Sequence, residues 1–406
     1  MHRLRRASWR RGLSSPRSHR QFRLLSRNRL KGTDERSCLV LIDRRVLPAA
    51  FDWRLAASAA GLAALSVLII YSTSGLHSSL FRRSLYLKQA AWAVMGLFAM
   101  ILLCGLHYRT IWRLAYPIYG VILASLLLTS LTGRAGMGAQ RWLGIGSFAF
   151  QPSEFMKLSL ILLLARYFED HKDDLRAPRT FIPPILLTLL PAAFVMRQPD
   201  LGTAIMLLLI SASILVLMGL KVRYFVMLGT LGAVIAPVLW RFLHDYQKSR
   251  ILVFIDPDMD PMGAGYHLAQ SKIAVGSGGL LGKGWMVATQ SQLNFLPANH
   301  TDFIFAGLAE QWGFIGSIGL LLLYAYLFSK GLRLAKDARD LFTMVTSFGV
   351  VSMMAIQVVI NIGMVVGIMP VVGIPLPLLS YGGSAMLANM LAVGLLLNIR
   401  MHRYLY

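Results

Sequence analysis

Long apolar runs recur along the chain, and short polar stretches separate them. A bilayer core of about 30 Å needs about 20 mostly apolar residues per helix, so these runs are predicted to be membrane-spanning helices. The predicted fold class is an all-α polytopic integral membrane protein of about ten transmembrane helices. The candidate spans are residues 55–73, 86–106, 112–131, 154–168, 181–196, 203–220, 223–243, 302–329, 341–369 and 383–399.

The composition supports this prediction. The chain has 406 residues, of which 56% are hydrophobic and only 15% are Asp, Glu, Lys or Arg. A soluble domain of ordinary composition carries about 25% charged residues, so the composition argues against a water-soluble enzyme. The two cysteines, Cys38 and Cys104, are too few for a disulfide framework, and neither lies in a metal-binding spacing.

The basic charge is concentrated before the first span. The formal net charge is +23, and fifteen of the 41 Lys and Arg residues lie in residues 1–54. Residues 1–50 are therefore predicted to be a basic, disordered cytoplasmic tail, and residues 51–406 the transmembrane domain. Such a tail suits contact with anionic lipid headgroups, and no nucleic-acid partner is predicted. The alternative that the true start lies downstream, leaving a tail without function, stays open.

The orientation follows from the Lys and Arg residues in the connections. With a cytoplasmic N-terminus, 29 of these residues fall on the cytoplasmic side and 12 on the other side. Cytoplasmic loops carry the excess of positive charge, so both termini are predicted to be cytoplasmic.

Acids are scarce, and charge inside a membrane tends to mark function. Three acids at helix ends, Glu154, Asp200 and Asp302, all fall on the outer side in this topology. A fourth outer connection is uncharged but dense in turn residues. The four clusters are Arg141-Trp142 with Gln151-Pro152-Ser153-Glu154 and Lys157; Arg197-Gln198-Pro199-Asp200-Leu201-Gly202-Thr203; Pro297-Ala298-Asn299-His300-Thr301-Asp302; and Gly373 to Ser384.

Structural explanations compete with a functional one. Ser153 and Thr301 are possible helix N-caps, and acids in a first turn favour the helix dipole. Glu154 and Lys157 are spaced as a simple helix pair. These explanations weaken because three acids share one side of the membrane with several basic residues. The basic residues are Arg141, Lys157 and Arg197.

Two further features lie outside these clusters. Glu310, two turns beyond Asp302, is predicted to have a structural role inside the bundle. The connection of residues 244–301 is too long to be a simple linker. Its stretch 266–275 has the spacing of an amphipathic helix that could lie in the membrane interface, and the glycines of 276–284 predict a hinge or a close-packing segment. They match no nucleotide-binding motif.

Taken together, the motifs resemble those of the SEDS family (shape, elongation, division and sporulation). They are Gln-Pro-Ser-Glu-x-x-Lys, Gln-Pro-Asp-Leu-Gly-Thr, His-Thr-Asp-Phe-Ile-Phe-Ala and Pro-Leu-Leu-Ser-Tyr-Gly-Gly-Ser. Their order, their spacing and the ten helices fit from about residue 46 to the C-terminus. The stretch from Ile255 to Leu293 is more similar to RodA than to FtsW. Two positions depart from the family pattern, Ala298 and Gln311, where relatives carry glutamate, and this puts a second carboxylate near the site in doubt.

The resemblance implies a peptidoglycan glycosyltransferase that polymerises lipid II on the outer face of the bacterial cytoplasmic membrane, for cell elongation and rod shape. It places the catalytic aspartate at Asp302, expected to act as a general base on the acceptor 4-hydroxyl. Because undecaprenyl pyrophosphate leaves with negative charge, cations are needed. The expected substrate-binding residues are Arg141, Glu154, Lys157, Arg197 and Asp200.

The resemblance also implies partners: a class B penicillin-binding protein that supplies the transpeptidase, and other elongation machinery. No cofactor motif is visible, although a divalent cation, Mg²⁺ or Mn²⁺, that bridges the pyrophosphate and a carboxylate stays possible. A flippase for the lipid-linked precursor is the alternative function. It is disfavoured because no comparable charged cluster lies on the cytoplasmic side. A scaffold without chemistry would leave Asp302 unexplained.

Overall fold

The computed structural model describes residues 51–73, 80–132, 134–136, 139–145, 148–175, 177–227, 252–256, 263–292 and 300–403, together with 229–230, 234, 241, 248 and 295. Within these ranges seven helical spans are long and apolar enough to cross a membrane, and an eighth apolar helix is shorter. The protein is thus a multi-pass membrane protein. The helices are α1 Trp53–Thr73, α2 Leu80–Cys104, α3 Tyr108–Thr132, α4 Pro152–Asp170, α5 Ile182–Arg197, α6 Leu201–Leu217, α7 Ala264–Ser277, α8 Thr289–Gln292, α9 Ile304–Lys336, α10 Leu341–Val365 and α11 Gly383–Arg403.

The helix predictions are confirmed wherever the structure describes the chain. Every predicted span corresponds to one helix except the seventh, 223–243, most of which lies outside the described residues, although 222–227 are helical. The ninth span was predicted to reach residue 369. Instead α10 ends at Val365, and Gly367 has the left-handed φ of +80° that is typical of a helix terminus. The predicted tail, residues 1–50, also lies outside the described residues.

The core of the bundle is built around α4. Fifteen of its 19 residues are buried, because α3, α6, α10 and α11 surround it. Small residues let these helices approach closely, as expected where lipid supplies no hydrophobic drive. A Cβ at Gly349 of α10, for example, would lie only 2.7 Å from Ile161 Cγ2 of α4.

The two ends of the bundle can be distinguished by their contacts. At one end, the start of α4 contacts the start of α11, and the start of α6 contacts the segment after α10. Because Asp302 precedes α9 there, this end is called the Asp302 end. At the opposite end, the Glu169 carboxylate of α4 accepts hydrogen bonds from the first amides of α10, those of Leu341 and Phe342.

A small antiparallel sheet between α3 and α4 was not predicted. It comprises β1 Arg134–Gly136, β2 Ala139–Ile145 and β3 Phe148–Phe150, in the order β1-β2-β3. Arg134 pairs with Trp142, and Leu143 pairs with Phe150. Two of the strands are three residues long, too short for an alternating pattern to be visible in the sequence.

The glycine-rich segment after α7 is a close-packing element against α9. Within α9, Gly313 has non-helical dihedrals (φ 64°, ψ −157°), which divide the helix into two parts. Gly279 O and Leu280 O accept hydrogen bonds from the Phe314 and Ile315 amides just past that break, at 2.9 and 3.1 Å. A Cβ at Gly282 would collide with the Gln311 carbonyl. Of the two predictions for residues 276–284, a hinge or a close-packing segment, the structure agrees with close packing. The predicted helix 266–275 is confirmed as α7.

Candidate functional site

The connection between α10 and α11, residues 366–382, contains most of the uncharged cluster singled out in the sequence and contacts the other three. Gly202 of the second cluster lies against it, so that a Cβ there would be 2.6 Å from Val372 O. At its C-terminal side, the Ser384 hydroxyl accepts a hydrogen bond from the Gln151 amide of the first cluster at 3.0 Å. The third cluster touches it through Asp302. The uncharged cluster is thus the part that assembles the other three.

Three successive carbonyls before α9 accept hydrogen bonds from the surrounding helices and the connection. His300 O accepts from the Tyr381 amide at 2.8 Å, and Thr301 O from the Ser380 hydroxyl at 2.6 Å. Asp302 O accepts from Asn361 Nδ2 of α10 at 2.9 Å. Since consecutive backbone acceptors are all held, the turn that carries Asp302 has a fixed position.

The Asp302 side chain is half-buried and lies against the connection. A Cβ built on Gly373 would lie 3.3 Å from Asp302 Oδ2, and Gly373 has a φ of +73°. Glycine is the residue that both the backbone and the neighbouring carboxylate tolerate at this position. The carboxylate is therefore partly exposed and packed closely against the connection.

Glu154 and Lys157 form a buried pair on α4. Lys157 Nζ donates to Glu154 Oε2 at 2.9 Å, and both side chains are at most 4% exposed. This is the i, i+3 helix pair that the spacing allowed. Ser153 is not the N-cap of α4; that position belongs to Gln151, whose side chain makes no capping bond. The Lys157 charge is thus balanced within its own helix.

Asp200 caps α6. Its carboxylate accepts from the Thr203 amide at 3.2 Å and from the Thr203 hydroxyl at 3.0 Å, and the side chain is buried. Arg197, the last residue of α5, is exposed. Neighbouring Gln198 is buried and donates from Nε2 to Leu126 O at 2.8 Å. Asp200 thus has a structural task in addition to the substrate contact expected of it.

The backbone of Arg141 lies within β2, at the Asp302 end. The alternative cap at Thr301 is not realised, since the N-cap of α9 is Phe303. Glu310 is buried and hydrogen-bonded, as its predicted structural role requires. Its side chain is fully buried and accepts from Lys283 Nζ at 2.8 Å, Thr289 Oγ1 at 3.2 Å and the Gln290 amide at 3.0 Å.

Sequence reasoning missed Asn361, and it included Ser380 and Tyr381 in the fourth cluster without giving them a role in holding the site together. The Tyr381 ring meets His300 edge to face, with centroids 5.7 Å apart, and burial raises the pKa of the Tyr381 hydroxyl. A buried asparagine inside the apolar α10 was the one available signal, because an amide in a membrane helix needs partners. Because the search for candidate residues started from charged side chains, it did not include Asn361.

A separate cavity of about 270 Å³ lies at the opposite end, lined by residues that include Tyr108, Arg339 and His402. It contacts none of the four clusters. The described residues also contain no group of three or more His, Cys, Asp or Glu side chains that could hold a metal ion. The chemistry available at the Asp302 end is a half-buried carboxylate, a neutralised buried ion pair and an exposed arginine.

The sequence model of the family described as "Cell cycle protein", which groups FtsW, RodA and SpoVE, matches residues 53–405. The chain belongs to this SEDS family. It is 43% identical over 339 residues to the peptidoglycan glycosyltransferase MrdB of Escherichia coli K12, covering 83% of this chain and 90% of that protein. It is 34% identical to the peptidoglycan glycosyltransferase RodA of Treponema pallidum, covering 86% of this chain and 97% of that one.

Two solved structures share the architecture. One, described as showing the structural coordination of polymerization and crosslinking by a peptidoglycan synthase complex, has a TM-score of 0.75 at 34% identity, over 87% of this chain and 99% of that one. The rod shape determining protein RodA of Thermus thermophilus has a TM-score of 0.66 at 32% identity, over 87% and 98% of the two chains.

Proposed function

We propose that this SEDS protein is a RodA-like peptidoglycan glycosyltransferase that polymerises lipid II into glycan strands for cell elongation. The observation that carries the proposal is the placement of Asp302. It is a half-buried acid on a turn whose carbonyls are all held, where the four motif clusters meet. Its relatives of similar length, MrdB and RodA, are named as peptidoglycan glycosyltransferases, which supports the same activity here.

In the proposed reaction, the Asp302 carboxylate accepts the proton of the acceptor sugar's 4-hydroxyl. The oxygen attacks the anomeric carbon of the donor with inversion, as the bond from that carbon to the diphosphate breaks. Undecaprenyl diphosphate leaves with the bonding electron pair and needs no proton. One base together with cations therefore suffices, unlike glycoside hydrolysis with its two carboxylates.

The diphosphate is proposed to bind near the basic residues of the first two clusters. Arg197 suits this task best, because it is exposed and makes no ion pair with any described residue. Lys157 is already neutralised by Glu154, so this pair is better suited to orienting a phosphate through one ammonium hydrogen than to supplying net charge. Arg141 in β2 and Asp200 at the start of α6 complete the proposed substrate-binding set.

A divalent cation, Mg²⁺ or Mn²⁺, is proposed to take part only as a companion of the diphosphate. No described cluster offers three ligating side chains, so the substrate oxygens would supply most of the coordination. Such a cation would neutralise charge on the leaving group. Omitting the metal and adding EDTA to a polymerisation assay, with partner and substrate held constant, tests this dependence.

The proposed location is the bacterial cytoplasmic membrane, with both termini in the cytoplasm and the Asp302 end outside. The 29 to 12 division of Lys and Arg residues supports this orientation. A class B penicillin-binding protein is the proposed partner, supported by the likeness to a component of a peptidoglycan synthase complex. Other elongation proteins and membrane lipids complete the expected surroundings.

The test compares wild type with Asp302→Asn in polymerisation of labelled lipid II. The purified protein is combined with its cognate penicillin-binding protein, whose transpeptidase serine is blocked. Asp340→Asn is the matched control, because Asp340 also precedes a helix but lies at the opposite end. Glycan strands are expected from wild type and from the control, and none from Asp302→Asn.

Equal polymer from all three proteins would remove Asp302 from the reaction. Absence of polymer from every protein, together with transfer of lipid II across sealed vesicles, would instead establish the flippase alternative.

A further inference from the structure

Asn361 lies one turn before the end of α10, and its side chain is fully buried. Its Nδ2 donates to Asp302 O at 2.9 Å and to Ile374 O at 2.8 Å. A primary amide has two N–H bonds, so both are used. The amide orientation is thereby determined, because the reverse orientation would bring Oδ1 against two carbonyl oxygens.

These two bonds join the turn that carries Asp302 to the connection between α10 and α11. Asp302 carries the carboxylate, and Ile374 follows Gly373, where an added Cβ would lie 3.3 Å from Asp302 Oδ2. One side chain on α10 therefore contacts both the residue that carries the base and the connection beside it. Ser380 and Tyr381 hold the preceding carbonyls, but Asn361 is the donor to the aspartate itself.

We propose that Asn361 is a positioning residue for glycosyl transfer: by donating to Asp302 O and Ile374 O at once, it holds the Asp302 carboxylate where it meets the acceptor hydroxyl. This rests on the proposed function of Asp302 as the base. Asn361 does not touch the reacting atoms. It acts on the rate through the position of Asp302, and a small misplacement of a catalytic group is enough to slow a reaction severely.

A purely structural role is the competing explanation, and the chain contains its own control for it. Asn398 of α11 is also fully buried, and its Nδ2 donates to Leu103 O at 2.9 Å and to Leu106 O at the opposite end. It holds the C-terminal end of α2 against α11 through backbone carbonyls, but no motif acid is nearby. Replacing either asparagine by leucine leaves similar volume and removes the same kind of bond.

The experiment compares Asn361→Leu with Asn398→Leu, each purified with the blocked partner, using labelled lipid II over a range of concentrations. Asn361→Leu is expected to lower kcat by about tenfold to a hundredfold. The apparent KM and the stoichiometry of lipid II binding are expected to stay at wild-type values. Asn398→Leu is expected to lower thermal stability to a similar extent while its kcat stays near wild type.

Binding stoichiometry is the decisive readout, because inactive protein would lower kcat and binding together. If Asn361→Leu keeps the wild-type kcat, or if both leucine variants lose kcat equally, the positioning role is overturned. A kcat loss that follows a loss of binding sites would overturn it as well. Should Asn361→Leu fail to fold, Asn361→Ser, which keeps one donor, is expected to give an intermediate kcat, and a wild-type kcat there would overturn the proposal.

Asp302→Asn, run in parallel, separates this inference from the proposed function. Polymer from Asp302→Asn would overturn the role of Asp302 as base. A wild-type rate from Asn361→Leu, with none from Asp302→Asn, would overturn the positioning role alone.

Discussion

The Asp302 carboxylate has little free space on the side of Gly373, since a methyl group there would reach 3.3 Å from Oδ2. We therefore expect Gly373→Ala to displace the carboxylate and to reduce polymerisation strongly. The left-handed φ of +73° adds backbone strain of about 1 kcal/mol or more for any residue with a side chain. Polymerisation of lipid II per folded molecule is the measurement.

Gly219→Ala separates strain from displacement. Gly219 also has a left-handed φ, +99°, but nothing lies within 4 Å of its added Cβ, and it follows α6 at the opposite end. Its variant should lose similar stability and keep the wild-type rate. Equal rates for both variants would show that contact with the Asp302 carboxylate has no catalytic importance.

At the residue scale, sequence reasoning identified charges better than it identified their supports. Asp302 was visible because acids are rare in a membrane protein and because its motif is specific. Asn361, Ser380 and Tyr381 carry no net charge, and their partners are backbone carbonyls up to 81 residues away. A hydrogen bond between distant segments leaves no spacing pattern, so only coordinates reveal it.

At the scale of elements, the break in α9 at Gly313 depends on the segment that follows α7. Glu310 lies just before the break and is fully buried, and Lys283 is the positive partner from that segment. We expect Glu310→Gln to lower the free energy of unfolding by about 2 kcal/mol, because it leaves the Lys283 charge without its counter-ion. Thermal unfolding of the purified protein in detergent measures the effect.

Asp170→Asn is the comparison for this prediction. Asp170 pairs with Arg166 at 3.4 Å, and its side chain is 32% exposed. An exposed pair of this kind is worth less than about 1 kcal/mol, so the melting temperature should change little. A larger shift for Asp170→Asn than for Glu310→Gln would contradict the assignment of Glu310 as the structural anchor.

The sequence indicates helices well and short extended elements poorly. The spans that became α1 to α6 and α9 to α11 were predicted, with bounds mostly within four residues, because 20 consecutive apolar residues are an unambiguous signal. The sheet of β1 to β3 was missed, since Gly136, Gly144 and their neighbours look like ordinary loop sequence. The α9 break was also invisible, because Gly313 is one of several glycines in that helix.

At the scale of the whole molecule, the proposed orientation has a direct test. In a chain whose Cys38 and Cys104 are replaced by serine, single cysteines are introduced as Arg197→Cys and Lys172→Cys. Arg197 is exposed at the Asp302 end, and the Lys172 side chain is 58% exposed at the opposite end. A membrane-impermeant maleimide added to intact cells should label the first variant, and the second only after lysis.

Labelling of Lys172→Cys alone in intact cells would reverse the proposed topology and place Asp302 in the cytoplasm. Labelling of both variants would indicate leaky cells, which a soluble cytoplasmic marker protein detects. The charge count that supports the orientation depends strongly on residues 1–54. The cysteine-labelling experiment determines the orientation without using those residues.

The hydrogen bonds that fix residues 300–302 come from an amide side chain, a hydroxyl and a backbone N–H, none of which carries a charge. Dissolved ions screen attraction between exposed charges but leave bonds between buried neutral groups nearly unaffected. Binding of an anionic lipid by exposed cations such as Arg197 should weaken as ionic strength rises. The placement of the base should not change, so salt would act on substrate affinity while the turnover of bound substrate stays constant.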